Sequence, residues 1–163
     1  REVTVCEFGS DSDFVVELHS TAPGERIIVA RVAPGETLLD TVQSVMKRSL
    51  KQADGLTESD DLIIPCVNFD LTRTYPEVEG PGFSFVHDRG HFIRTAYQRM
   101  QFRLDELGAR LESVSTAWSM LNGDPPKGRK MICDGPFLIL LARVGAPLPY
   151  FAFWVENEEL LVR

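Results

Sequence analysis

The sequence predicts an α+β fold, mainly antiparallel sheet with one clear helix at about residues 37–52. Three observations predict it. Short runs of β-branched and aromatic residues recur between Pro/Gly-rich turns. A single segment changes cleanly to helical period. Two apolar runs, 136–143 and 149–155, close the chain as a buried hairpin.

Taken in order, Phe14-Val15-Val16-Glu17-Leu18 reads as a strand. Thr21-Ala22-Pro23-Gly24 is a turn and Arg26–Val32 a second strand, so the two make a hairpin. After Pro34-Gly35, Leu39, Val42, Met46 and Leu50 fall on one helical face. Thr37 is the expected N-cap, with Asp40 three positions on in a capping-box arrangement. Lys47, Arg48 and Lys51 suit the negative end of the helix dipole. Asp54-Gly55 with Glu58, Asp60 and Asp61 reads as a solvated acidic loop, because the alternating ligand ladder of a calcium loop is absent. Leu62–Leu71 is expected as one strand; Pro65 cannot donate to a ladder and puts it at an edge or a bulge. Pro76–Gly82 is a turn region.

Residues 92–118 carry two patterns. Met100, Leu104, Leu107, Leu111, Val114 and Trp118 form a helical stripe, and periodicity alone favours a helix. Met100, Phe102 and Leu104 also alternate as in a strand, and Gly108 would cost a helix about 1 kcal/mol. Beyond them lies a long stretch with Asn122-Gly123-Asp124-Pro125-Pro126-Lys127-Gly128 at its middle. Loops longer than about 12–15 residues tend to be functional or disordered. A strand, a long loop and a buried hairpin point to binding or presentation rather than catalysis.

The 163 residues fit a single domain, 1–163, and an apolar content of 44% supports a sizeable core. The start at Arg1 suggests a fragment or processed piece of a longer protein. A net charge of −7 argues against unaided nucleic-acid binding and against a polybasic membrane site. No apolar run approaches the roughly 18 residues of a membrane span. Basic residues are scattered apart from Lys127, Arg129 and Lys130.

Cys6, Cys66 and Cys133 are far apart without a CxxC pair, and read as three reduced, buried thiols, with one disulfide plus a leftover thiol as the alternative. His87 and His91 stand four apart, a spacing that can serve a metal on a helix. Gly90 between them and Pro81-Gly82 before them favour a loop, and a third ligand is lacking. No nucleophile elbow or phosphate-binding loop is present. No catalytic residue, metal or cofactor is therefore assigned. Phe151 and Phe153 share one strand face, and Tyr150, Ala152 and Trp154 the other, as sheet and core residues.

In order, these segments resemble the C-terminal half of a serpin over about residues 10–158. Phe14–Leu18 and Arg26–Val32 resemble paired central strands of the family's B sheet, and the helix follows them. Leu62–Leu71 with Tyr75 is similar to a "P-x-F-x-I…Y-D-L" strand. Ala96–Glu112 resembles the strand and hinge before the reactive loop, with Glu106 and Gly108 matching the Glu and Gly of "V-x-E-x-G-T-E-A". Pro136-Phe137-Leu138 matches "P-F-L-F", and Phe151–Val155 the final "L-F-x-G-x-V" strand, with Trp154 departing. The stretch from Glu106 to Pro136 has the length of a full serpin loop.

The resemblance implies a hinge at Glu106, Gly108, Ala109, Arg110, Leu111 and Glu112. Serpin inhibition inserts the cleaved loop into the A sheet through small hinge residues. Arg110 and Glu112 would share one face there, and burying two unpaired charges costs several kcal/mol each. A non-inhibitory binding or scaffolding module is the resulting expectation, with another protein chain or a protease as partner. A half-sheet with exposed edges also favours self-association. The alternatives are a serine-protease inhibitor with its bait in 118–130, drawing on Asn122, Lys127, Arg129 or Lys130, and a small hydrolase using His87 and His91.

Overall fold

Successive residues of the central strands are apolar on both sides of the backbone, which demands a sheet covered on both faces. The computed structural model describes residues 3–51, 54–79, 93–104 and 128–157 and shows that arrangement. Strands β1 (Val3–Ser10), β2 (Asp13–Leu18) and β3 (Glu25–Arg31) run antiparallel in sequence. Helix α1 (Leu38–Arg48) follows, then the two-residue β4 (Asp54–Gly55). Next come β5 (Asp61–Ile63), β6 (Val67–Thr74) and β7 (Tyr97–Leu104), then β8 (Lys130–Ile132), β9 (Phe137–Arg143) and β10 (Phe151–Val155). The main sheet has six strands in the order β10-β9-β3-β2-β1-β4. β5 pairs with β8 in parallel, and β6 with β7 antiparallel, as separate two-stranded ribbons.

The predicted hairpin is β2–β3, and Gly24 at φ 77° supplies the left-handed position of its turn. One face of the main sheet carries Phe14, Val16, Leu18, Val29, Phe137 and Ile139, packed against Leu62, Val67, Phe69, Leu104 and Met131 of the ribbons. The other carries Val15, Ile28, Ala30, Leu138, Leu140 and Ala142 against Val42, Val45 and Met46 of α1. Each fully buried Leu, Ile or Phe of these layers contributes about 1.5–3 kcal/mol of transfer free energy.

The capping box at Thr37 and Asp40 forms as expected: Thr37 Oγ1 accepts from the Asp40 amide at 3.1 Å, and Asp40 Oδ2 accepts from the Thr37 amide at 3.1 Å. The predicted helical stripe needs correction. The helix is shorter than 37–52, and it buries Thr41, Val42, Val45 and Met46. Leu39 and Leu50 are 54% and 75% exposed. Leu50 lies beyond the Ser49 C-cap, and Leu39 sits in the first turn, off the face that the sheet covers. Arg26 of β3 fixes the helix end by donating to Ser49 O at 3.0 Å while pairing with Glu17.

Two further expectations change. Leu62–Leu71 is not one strand: Ile64-Pro65-Cys66 breaks it into β5 and β6, which belong to different ribbons. Pro65 lacks the donor needed to continue the ladder. β1 was not anticipated. Alternation turns Val3 and Val5 to one core and Cys6 to the other, and a bulge between Val5 and Glu7 brings Phe8 back to the Val3–Val5 side. The ambiguous segment is a strand as far as Leu104, with Phe102 opposite Phe69 and Leu104 opposite Val67. The rest of the helical stripe, Leu107 to Trp118, lies outside the described residues.

Candidate functional site: the two segments flanking residues 105–127

Residues 105–127 lie outside the described residues, but the structure describes the two ends that hold them. At the first end, β7 pairs with β6 over eight residues, from Thr74↔Tyr97 to Val67↔Leu104. Alternation turns Phe69 and Phe102 inward to an aromatic cluster. The Phe69 ring lies 5.7 Å from Phe102 and 4.5 Å from Phe153, and Phe102 lies 5.2 Å from Phe151. These spacings suit offset aromatic packing. On the outer face, Arg99 donates both to Asp70 Oδ1 at 2.8 Å and to Asp70 Oδ2, and Gln101 donates to Asp70 Oδ2 at 2.8 Å. The Arg99 and Gln101 hydrogen bonds hold the Asp70 carboxyl down at about 2.

The second end is built differently. β8 pairs with β5 over only three residues. The adjoining contact centres on Asp60, whose side chain is 3% exposed. Asp60 Oδ1 accepts from the Arg129 amide at 2.8 Å and from Arg129 Nε at 3.1 Å. Asp60 Oδ2 accepts from Arg129 Nη2 at 2.6 Å and from the Thr57 amide at 2.9 Å. Arg129 Nη2 also donates to Gly55 O at 3.1 Å, and the Asp61 amide donates to Arg129 O at 2.9 Å. Burial pushes the Asp60 carboxyl up, but Arg129 and the two amides outweigh it and hold it well below the usual carboxylate range. Gly128 lies so close to the Ser59–Asp60 backbone that a Cβ there would fall 1.4 Å from Ser59 O. Past β8, Arg31 of β3 donates to Ile132 O at 2.7 Å and pairs with Asp134.

The solvated reading of the acidic loop is therefore wrong for Asp60, which is buried and paired. Sequence reasoning missed it because its partner lies 69 positions away. Only the local Thr57-to-Asp60 turn is written in neighbouring residues. Of the candidate bait residues, Arg129 is engaged by Asp60, while Lys130 stands exposed in β8. Asn122 and Lys127 lie outside the described residues, as do Glu106, Gly108, Ala109, Arg110, Leu111, Glu112, His87 and His91.

Cys6, Cys66 and Cys133 are free thiols, Cys6 and Cys133 buried and Cys66 half-buried. Burial pushes Cys6 up to about 11 and Cys133 up to about 12, so both stay protonated at neutral pH. Among the described residues no group of three His, Cys, Asp or Glu is placed to hold a metal, and no helix is long and apolar enough to cross a membrane. An open, polar cavity of about 240 Å³ lies by the β2–β3 turn, lined in part by Thr4, Glu17, His19, Ser20 and Glu25.

No protein-family model and no curated protein matches this chain. Among solved structures, thyroxine-binding globulin in complex with thyroxine, a serpin-fold protein, is similar over 95% of this chain, with a TM-score of 0.58 and 14% identity. The fold is serpin-like. The likeness covers 43% of that protein, so the chain spans less than half its length. At this identity the likeness concerns the fold alone, an α+β serpin-like half made mostly of antiparallel sheet.

Proposed function

We propose that this chain is a non-inhibitory, serpin-like binding or scaffolding module, corresponding to the C-terminal half of that fold, whose partner is another protein chain. The observation that carries this reading is the isolation of the β6–β7 ribbon: among the described residues β7 pairs with β6 alone. A serpin trap needs the cleaved loop to enter as a strand held by ladders on both sides. Among the described residues a strand added to β7 would gain one ladder, at an edge. An open edge of this kind is suited to pairing with a strand of another chain, a second copy included. The likeness to a globulin solved with its ligand is in keeping with a binder rather than a catalyst.

Incubation of the intact chain with trypsin, resolved on denaturing gels and by intact mass, tests the reading. Proteolytic fragments alone are expected. A denaturant-stable adduct with the mass of chain plus protease would overturn it in favour of the inhibitor with its bait in 118–130.

A further inference from the structure

The described segment that begins at Gly128 holds an arginine, Arg129, of the kind a trypsin-class protease cuts after, and every group such an enzyme needs is already in use. To be cut, Arg129 must place its guanidinium in the protease pocket and offer its amide and carbonyl to the protease backbone. Its guanidinium donates to both Asp60 oxygens and to Gly55 O, its amide to Asp60, and its carbonyl accepts from Asp61. Gly128 meanwhile sits against Ser59 with no space for even a methyl group between them. Two independent features thus seat the same short segment: a buried carboxylate and a close backbone approach.

We propose that Asp60 is a lock that withholds the Arg129–Lys130 peptide bond from trypsin-class proteases, with Gly128 as the fit that lets the lock close. Hydrolysis of that bond, a water added across it by the protease, requires β8 to leave β5 first. The lock holds whatever the module binds, and a covalent protease adduct formed anywhere but at Arg129 would sink the binding reading without touching it.

Limited trypsin digestion followed by mass spectrometry gives the rate of cutting after Arg129 relative to Lys51, whose side chain is 59% exposed beyond the end of α1. In the unaltered chain, cutting after Arg129 should be at least about ten-fold slower than after Lys51. Asp60→Asn should raise the ratio of Arg129 to Lys51 cutting by about ten-fold or more. Gly128→Ala, which leaves both charged residues in place, should raise it as well. Hydrogen exchange separates local release from unfolding. In Asp60→Asn the Asp61 and Cys133 amides, bonded to Arg129 O and Ile63 O, should exchange faster while those of β2 and β3 stay protected. Cutting of the unaltered chain after Arg129 as fast as after Lys51 would overturn the proposal. So would an unchanged ratio in Asp60→Asn.

Discussion

The strands on either side of residues 105–127 are held by different physics. The β7 end is held by area: eight paired residues, with the Phe69 and Phe102 rings set against Phe151 and Phe153 of the main sheet. Its charged pair, Asp70 with Arg99, lies on the exposed outer face. The β8 end has three paired residues and almost no aromatic surface, and its charged pair is buried. A long ladder can tolerate the loss of a contact, because its neighbours share the constraint. A short ladder closed by one ion pair cannot, so the second end should open as a unit.

Removing area at the first end should have the largest effect. Phe69 is 6% exposed and touches Phe102 and Phe153. Phe69→Ala should cost about 3–5 kcal/mol, from lost transfer energy and the cavity left behind. Urea unfolding followed by tryptophan fluorescence measures it. A loss below about 1 kcal/mol would mean that the ribbon is not docked on the sheet as described.

Asp60→Ala should come next, at about 3 kcal/mol, because it leaves the Arg129 guanidinium unpaired in a mostly buried place. The low end of the range for broken buried pairs applies, since Arg129 keeps Gly55 O and its side chain is 23% exposed. The double variant Asp60→Ala/Arg129→Met should recover part of the loss, because it removes the orphaned guanidinium but leaves the amides of positions 57 and 129 without their acceptor. Failure of the double variant to recover any of the loss would mean that the orphaned guanidinium is not what Asp60→Ala leaves in deficit.

The same contrast explains what could be read from the sequence. The β2–β3 and β9–β10 hairpins and the Thr37 cap depend on neighbours in the chain, and their residues announce them. β7 was readable only in part, since Met100 and Leu104 satisfy a period of two and a period of four at once. Its strand state is decided by β6, about thirty positions earlier, where Phe69 faces Phe102. The split of β5 from β6 was half-visible in Pro65, but a missing donor does not say which ribbon each piece joins. Asp60 was illegible because a buried carboxylate and a solvated one have the same letter, and Arg129 is brought to it only by the parallel β5–β8 pairing. The serpin-like order of elements could be read because several weak motifs fall in one sequence, even though each is satisfied by many unrelated strands.

Asp70 offers the smallest effect and the sharpest control, since it is also a carboxylate bound by an arginine. Its folded-state value is depressed to about 2, first by the Arg99 hydrogen bond and then by Gln101. A depressed carboxylate stabilises the fold above its unfolded value, about 3.9, and that contribution fades as pH falls from there through about 2. The pair is solvent-exposed, so screening and side-chain entropy offset most of its attraction. Asp70→Asn should therefore leave the urea midpoint at neutral pH unchanged within error, and added salt should not alter that result. Side-chain NMR should still record the Asp70 carboxyl titrating below its ordinary value, through its Arg99 and Gln101 hydrogen bonds. An Asp70→Asn loss as large as that of Asp60→Ala would mean that burial does not separate the two pairs, and the distinction between an end held by area and an end held by charge would fall with it.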